Sequence, residues 1–379
     1  MIEIQTTSSF HPDDRRADAQ ENRYFHVGPW RNSRSAATLS FLFGLVLPVA
    51  VVGHHGSNSN PDLYLAENLL VLEGEISRIL WRNPHPRLML TVVGADGVEA
   101  DWELEMSGSI NGLIAIGLDS DFVRIGERVR AAGVVSRRDP TSIGLLHLLL
   151  PSGEEYVNGN RETLWSDERL QTRRLPTDPA AVRAAEELAD GIFRVWGRRT
   201  SPRPSPEEYA GLLTAHGREV AAQFYAPRDN PELECRTGIP THMFDPTPME
   251  VSDGGDRIHI HTEEYNVRRV VYMTEDRPEP EPSNVGYSTG RWEGDTLVVE
   301  TTHIDWPYFD PYGTPQSDQM SYVETFRIAD DDSRLDYTII ATDPIMFTAP
   351  VELERAWRWQ PGLQMVENFD CVADWEDVG

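Results

Sequence analysis

The chain contains no lysine; all 34 of its basic residues are arginine. That absence excludes Schiff-base chemistry, a P-loop lysine and a catalytic lysine base. Cysteine is almost absent too, with two in 379 residues, too few for a disulfide-dense scaffold or a four-cysteine zinc site. Positive charge is scarce: 62 acidic residues against 34 basic give a net charge of −28. This balance argues against a nucleic-acid groove and against adhesion to an anionic membrane surface. No repeat of twenty to fifty residues is evident. What is present is enough apolar matter for real cores, 39% hydrophobic with 10 Trp, 12 Tyr and 12 Phe, which excludes a disordered chain. The length predicts two domains plus connectors.

An uncharged run from Ala36 to Val52, rich in Leu, Val and Phe, follows Arg31 and Arg34 and gives way to Gly53-His54-His55-Gly56. Its length suits a signal-peptide core and is slightly short for a membrane span. Val51-Val52-Gly53 offers small or modest residues to a signal peptidase, so cleavage after Gly53 and a periplasmic or secreted location are expected. An uncleaved N-terminal anchor is the alternative. Residues 1–53 read as a polar extension and signal peptide. Export implies an oxidising compartment, in which Cys235 and Cys371 become candidates for one disulfide.

Residues 54–155 read as a small OB-like β domain. Leu70–Leu80, Leu88–Val93 and Val98–Leu104 have strand character, with a hairpin turn at Gly94-Ala95-Asp96-Gly97. Ser109–Ile116 suits a helix, and Glu127–Ser136 and Leu145–Leu150 resume strand character with Gly126 and Gly133 as bend points. Strand, strand, strand, helix, strand, strand is the order of an OB-type barrel. Residues 156–230 read as a helical spacer, with helices opened by Thr177-Asp178-Pro179 and Ser205-Pro206. Residues 231–379 carry 10 Arg against 31 acidic residues, a net of −21. Strands are predicted at Arg257–Glu263, Arg268–Met273, Thr296–Thr302, Tyr322–Ile328, Leu335–Thr342, Val351–Trp359 and Gln364–Asp370. They suggest an antiparallel curved sheet or lipocalin-like barrel. The fold class is therefore mainly β.

His54-His55 after the apolar run, Trp81-Arg82-Asn83-Pro84-His85 and the Gly-rich hairpin together resemble an uncharacterised family of exported bacterial proteins. Its members carry a His-His-Ser start and a Trp-x-Asn-Pro-His motif in a small β domain. The resemblance extends to Asp190–Trp196, to the tract Gly286-Tyr-Ser-Thr-Gly-Arg-Trp-Glu-Gly-Asp-Thr-Leu-Val-Val299, and to Gly313–Ser317 leading to Glu324–Arg327. This chain departs from the family at Gly56, where Ser is usual, and at Glu279 and Gln316, where relatives carry His. The resemblance implies architecture and location; it names no reaction.

Chemistry-bearing residues fall into several groups. His54, His55 and His85 could converge on one metal, copper or another divalent transition metal, because copper(II) favours nitrogen donors. A disordered polar start and an ordinary loop histidine is the competing reading. His259 and His261 alternate with Ile258 and Ile260, so both rings share one strand face with Glu263; a polar face opposite buried isoleucines explains them equally well. His303 and Asp305, beside Trp306, Tyr308 and Phe309, form a candidate acid–base pair in an aromatic setting. Ser288 lies in Gly-x-Ser-x-Gly but is followed by a strand, which makes a nucleophile elbow improbable. Arg268, Arg269 and Arg291, with Trp292, either pair with carboxylates or clamp an anionic ligand. The leading expectation is binding of a metal ion, a small ligand or both, without nucleic acid and without stable membrane insertion if the apolar segment is removed. A periplasmic enzyme, by copper-dependent oxidation or acid–base chemistry, and a structural envelope module are the rivals.

Overall fold

The computed structural model describes residues 3–5, 64–170, 172, 177–199, 204–245, 247–365 and 369–373. His54, His55 and the apolar run lie outside these residues. The chain divides into two units. One comprises Met1–Trp81, His85–Gly108 and Asp119–Thr172, the other Arg82–Pro84, Ser109–Leu118 and Arg173–Gly379. No helix of the described residues is long and apolar enough to cross a membrane.

The first unit is a small five-stranded barrel. A short β1 (Glu3–Gln5) pairs with the long β2 (Tyr64–Leu80). β2 then closes with β3 (Arg87–Val93), β4 (Glu99–Glu105), β6 (Ser142–Leu149) and β5 (Arg128–Ser136), which pairs back onto β2. Within this ring β4 and β6 run parallel and the other pairs antiparallel. In sequence, helix α1 (Ile110–Ala115), capped by the Ser109 side chain on the Gly112 N–H, falls between β4 and β5. The expected OB-like order is thus observed. Alternation fills the interior with aliphatic side chains: Leu72, Ile76, Leu88, Leu90, Leu104 and Leu148 are fully buried, each contributing about 1.5–3 kcal/mol of transfer free energy. Gly133 permits the close approach of β5 to β6, since a Cβ there would stand 2.3 Å from the Gly144 carbonyl oxygen.

β7 (Glu155–Val157) pairs with β6 and carries the buried carboxylate of this unit. Glu155 accepts the backbone N–H groups of Leu164 and Trp165 at 2.8 Å and of Ser166 at 3.2 Å. His147 Nδ1 lies 2.8 Å from the same group. Burial opposes ionisation of Glu155, but these donors outweigh it and hold its pKa below the ordinary carboxylate value.

The second unit is a closed nine-stranded barrel. After α2 (Pro179–Leu188), opened by Asp178 accepting the Ala180 N–H, β8 (Val195–Arg199) enters the barrel. It lies within the stretch read from sequence as a helical spacer. Short helices α3 (Pro206–Tyr209), α4 (Ala215–Ala221) and α5 (Ala226–Asp229) follow. Then come β9 (Met249–Asp253), β10 (Arg257–Thr262), β11 (Val267–Tyr272), β12 (Tyr287–Glu293), β13 (Thr296–Thr302), β14 (Ser321–Ile328), β15 (Arg334–Thr342) and β16 (Val351–Trp359). The ring runs from β10 in sequence order to β16, then through β8 and β9 back to β10. β11 and β12 are its parallel pair. A mainly β, lipocalin-like barrel was the expectation, and it stands.

The strand expected at Gln364–Asp370 is not observed at the described residues of that stretch. Pro361 and Gly362 turn the chain, and Cys371 instead bridges to Asn83, with the Val372 N–H donating to the Asn83 carbonyl at 3.1 Å. Cys371 is bonded to Cys235 with a Cα–Cα distance of 5.8 Å, as anticipated. The bond spans 136 residues, and closing a loop of that length stabilises by about 5 kcal/mol on chain-entropy reasoning.

Candidate functional site

The nine-stranded barrel is not an open cup. The segment following Cys235 crosses its interior, and Thr241, His242, Met243 and Phe244 are all buried. Side chains hold this plug by its backbone. Asn284 Nδ2 donates to the Thr237 carbonyl at 2.7 Å, and Gln316 Nε2 donates to the Ile239 carbonyl at 3.0 Å. Arg355 donates to the Asp245 carbonyl. Gly238 is required where the plug passes Trp306, because a Cβ would stand 2.4 Å from the indole ring.

Beside the plug lies a fully buried ion pair. Strand alternation turns Arg269 of β11 inward together with Val267 and Val271, and turns Glu324 of β14 inward together with Tyr322 and Phe326. Arg269 Nη1 donates to Glu324 Oε1 at 2.8 Å, and Nη2 contacts Oε2. Arg269 Nε donates to Ser288 Oγ at 2.9 Å and Nη2 to Thr301 Oγ1 at 2.6 Å. Tyr337 donates its hydroxyl proton to Glu324 at 2.8 Å. Burial works against the Glu324 carboxylate, yet the Arg269 charge and these hydrogen bonds hold its pKa below the ordinary value. Ser288 is thereby explained as a buried ligand of Arg269. His242 faces the same interior and neither of its ring nitrogens makes a hydrogen bond. Burial, reinforced by the Arg269 charge, pushes its pKa down to about 4, so the ring is neutral at pH 7. This network is enclosed and is a structural core.

The accessible site lies at one end of the barrel. The turn between β10 and β11, the chain entering β12, the chain leaving β13 and the start of the plug converge there on a cavity of about 500 Å³. Its walls include Arg236, Thr237, Asn266, Arg268, Asn284, Asp305 and Trp306, with Cys235 of the disulfide at its edge. Ligand pockets of this size ordinarily hold one small molecule. Two polar atoms in this wall are buried without a hydrogen bond, Thr237 Oγ1 and Trp306 Nε1, on residues only 3% and 6% exposed. A buried donor or acceptor left unmade costs on the order of 1–3 kcal/mol; both atoms are closed off from the cavity space, and the charged groups the wall presents to that space are the exposed Arg268 and Asp305.

The residues singled out from sequence separate here. Arg268 and Asp305 line the cavity. His303 is exposed, with a left-handed backbone (φ 55°), its Nδ1 2.9 Å from Thr302 Oγ1 and its ring against Tyr287; it is not among the lining residues. Arg291 is exposed and held by Glu293 at 2.8 Å and Glu300 at 2.6 Å, and Trp292 packs edge-on against Phe193. His259 is exposed, whereas His261 is buried with Nε2 2.8 Å from Asn266 Oδ1. His85 Nδ1 lies 2.9 Å from Glu105. Among the described residues no group of three His, Cys, Asp or Glu side chains is placed to hold a metal ion. Thr237, Asn284 and Trp306 were not anticipated as a set, because the plug and two separate strand ends bring them together.

Residues 45–145 match the model of a family of unknown function, DUF6152. The match covers the small barrel as far as β6 and stops short of the nine-stranded barrel. No curated protein and no solved structure matches the chain.

Proposed function

We propose that the protein is an exported binding protein that takes a small polar ligand into the cavity walled by Arg236, Thr237, Arg268, Asp305 and Trp306. The observation that carries this reading is the pair of opposite charges, Arg268 and Asp305, which line a cavity of about 500 Å³ and form no ion pair among the described residues. The barrel interior is filled by the plug and the Arg269–Glu324 network, so binding in the manner of an open lipocalin cup has no room. Export is supported by the Cys235–Cys371 bond, which persists in an oxidising compartment.

The test is a thermal-shift panel of neutral sugars, sugar acids, amino acids and dicarboxylates against the full exported chain, repeated with Val285→Trp. Val285 lines the cavity, and an indole there fills it. A stabilising compound whose effect vanishes in the folded Val285→Trp variant supports the reading. Stabilisation that survives the substitution, or none from any class, overturns it.

A second reading concerns the small barrel, where one observation favours a metal. The His85 Nδ1–Glu105 contact of 2.9 Å is the carboxylate–histidine arrangement that orients a metal-binding imidazole and leaves Nε2 as the donor. His54 and His55, outside the described residues, would supply the remaining nitrogens, with copper favoured by the donor type. Copper titration of the mature chain, with loss of tight binding in His85→Ala but not in His259→Ala, is the expected result. Equal affinity in both variants would remove this reading.

A further inference from the structure

The same cavity defines the chemistry of its ligand, an inference that rests on the cavity reading above. Arg268 projects from the exposed face of β11, one residue from the buried Arg269, and lines the cavity. Asp305 lines it from the chain leaving β13, where only its backbone is engaged, the N–H donating to the Ser283 carbonyl at 2.8 Å. The two side chains are opposite in charge and share one cavity, yet they form no ion pair with each other or with any other described residue. Arg236 differs: its guanidinium is held by Glu234 at 2.6 Å. A cation and an anion that share a cavity without meeting leave a space to be filled by a molecule presenting an acceptor to one and a donor to the other.

The rest of the wall specifies how many such groups are needed. Trp306 Nε1 and the Thr237 hydroxyl are closed off from the space and offer it neither donor nor acceptor; the asparagines do. Asn284 uses its Nδ2 on the Thr237 carbonyl, which leaves Oδ1 as an acceptor. Asn266 uses its Oδ1 on His261, which leaves its amide protons as donors. Donors and acceptors are therefore interleaved around the space. Hydroxyl groups answer both, whereas a single ammonium could answer only the acceptors. A guanidinium without a carboxylate partner is matched by a carboxylate in bidentate geometry.

We infer that the ligand is a carboxylate-bearing polyol, such as a sugar acid or a polyhydroxy acid, with its carboxylate on Arg268 and its hydroxyls shared among Asp305, Asn284 and Asn266. The cavity selects it over neutral sugars through Arg268 and over simple dicarboxylates through the interleaved polar wall.

Calorimetric titration of the full chain with its disulfide intact tests this, using D-glucuronate, D-gluconate, D-glucose, succinate and glycine as probes. Glucuronate or gluconate is expected to bind one per chain at least tenfold more tightly than the other three. Arg268→Gln should remove that preference by lowering affinity for the acid at least tenfold, and Asp305→Asn should weaken binding severalfold while leaving the preference for the acid over glucose intact. Arg268 is exposed, so its variant is expected to fold, with far-ultraviolet circular dichroism as the check. Glucose binding as tightly as glucuronate, or an unchanged acid affinity in Arg268→Gln, overturns the anionic assignment while the cavity reading survives. Tighter binding of glycine assigns a zwitterion and likewise overturns it. Binding of none of the five probes at millimolar concentration overturns the polyol-acid class, and the panel with Val285→Trp then decides separately whether the cavity binds anything.

Discussion

The two barrels of this chain solve the problem of an interior in different ways. The five-stranded barrel is narrow enough for aliphatic side chains to fill it. Leu72, Ile76, Leu88, Leu90, Leu104 and Leu148 do so, and its buried carboxylate, Glu155, lies on β7, outside the closed ring. A barrel of nine strands is wider, because diameter grows with strand number. Here the added space is taken by large aromatics such as Trp196, Tyr322, Phe326, Tyr337 and Trp357, by the Thr241–Phe244 plug, and by an ion pair with its hydroxyl partners. The wider barrel therefore depends on polar matching where the narrower one depends on volume.

The sharpest way to break this contrast is Glu324→Leu. Removing one partner strands the Arg269 charge in a dry interior and should cost about 3–5 kcal/mol in urea unfolding at pH 7. The Arg269→Met, Glu324→Leu double variant should recover most of that loss, because an apolar pair of similar volume replaces the charges. A single variant that loses little would mean that water reaches the pair. In the small barrel, Leu148→Ala should cost about 2–5 kcal/mol from a cavity alone, and the loss should be the same at pH 7 and pH 5.

The pH dependence sharpens the contrast further. His242 takes up a proton near 6.5 when unfolded but only at about 4 when native. Between those values the unfolded chain binds more protons, so stability falls as pH drops from about 6.5 toward 4, on the order of 1 kcal/mol per pH unit. His242→Leu should flatten that slope in unfolding curves at pH 7, 6 and 5, even if it lowers stability at pH 7. His147 and His261, whose pKa values burial also lowers, should supply the residual slope. An unchanged slope would place the titration elsewhere. Glu324 and Glu155, with lowered values, contribute stability that is lost only at more acid pH.

The smallest effect is expected at Arg291. It is fully exposed and paired with Glu293 and Glu300 on the barrel surface, where such pairs contribute little. Arg291→Ala should leave both the unfolding midpoint and binding in the cavity unchanged. A clear loss of ligand affinity in that variant would extend the site beyond the lining residues.

Much of the framework was legible from alternation. The strands at Leu88–Val93, Thr296–Thr302 and Leu335–Thr342 show period-two patterns or apolar runs strong enough to read directly. The short β1 and β7 of the first unit were not, and neither were three strands of the nine-stranded barrel. β12 is interrupted by Gly290 and ends in exposed Arg291, Trp292 and Glu293; β9 is five residues long and follows Pro248; β8 lies in a stretch running into Arg- and Pro-rich sequence. Each pairs because neighbouring strands supply the ladder, which local sequence does not report. The cavity was only partly legible. Arg268 stood out as a cation in an acidic domain and Asp305 as a partner for His303 beside Trp306, whereas Thr237 acquires meaning only when the plug passes beneath the indole.

Arg268 and Arg269 show where the division falls. Sequence alone determined that the chain is acidic and lysine-free, that it alternates as two β domains, and that adjacent arginines on a strand must face opposite ways, since successive side chains point to opposite faces of the sheet. It did not determine which arginine is the structural one. That was decided by the closure of the barrel, which brought Glu324, 55 residues away, across the interior to Arg269, while Arg268 was left facing a cavity shared with Asp305. The physical reason is that local spacing sets the direction of a side chain, whereas its partner and its dielectric surroundings arrive from distant strands only when the ring closes.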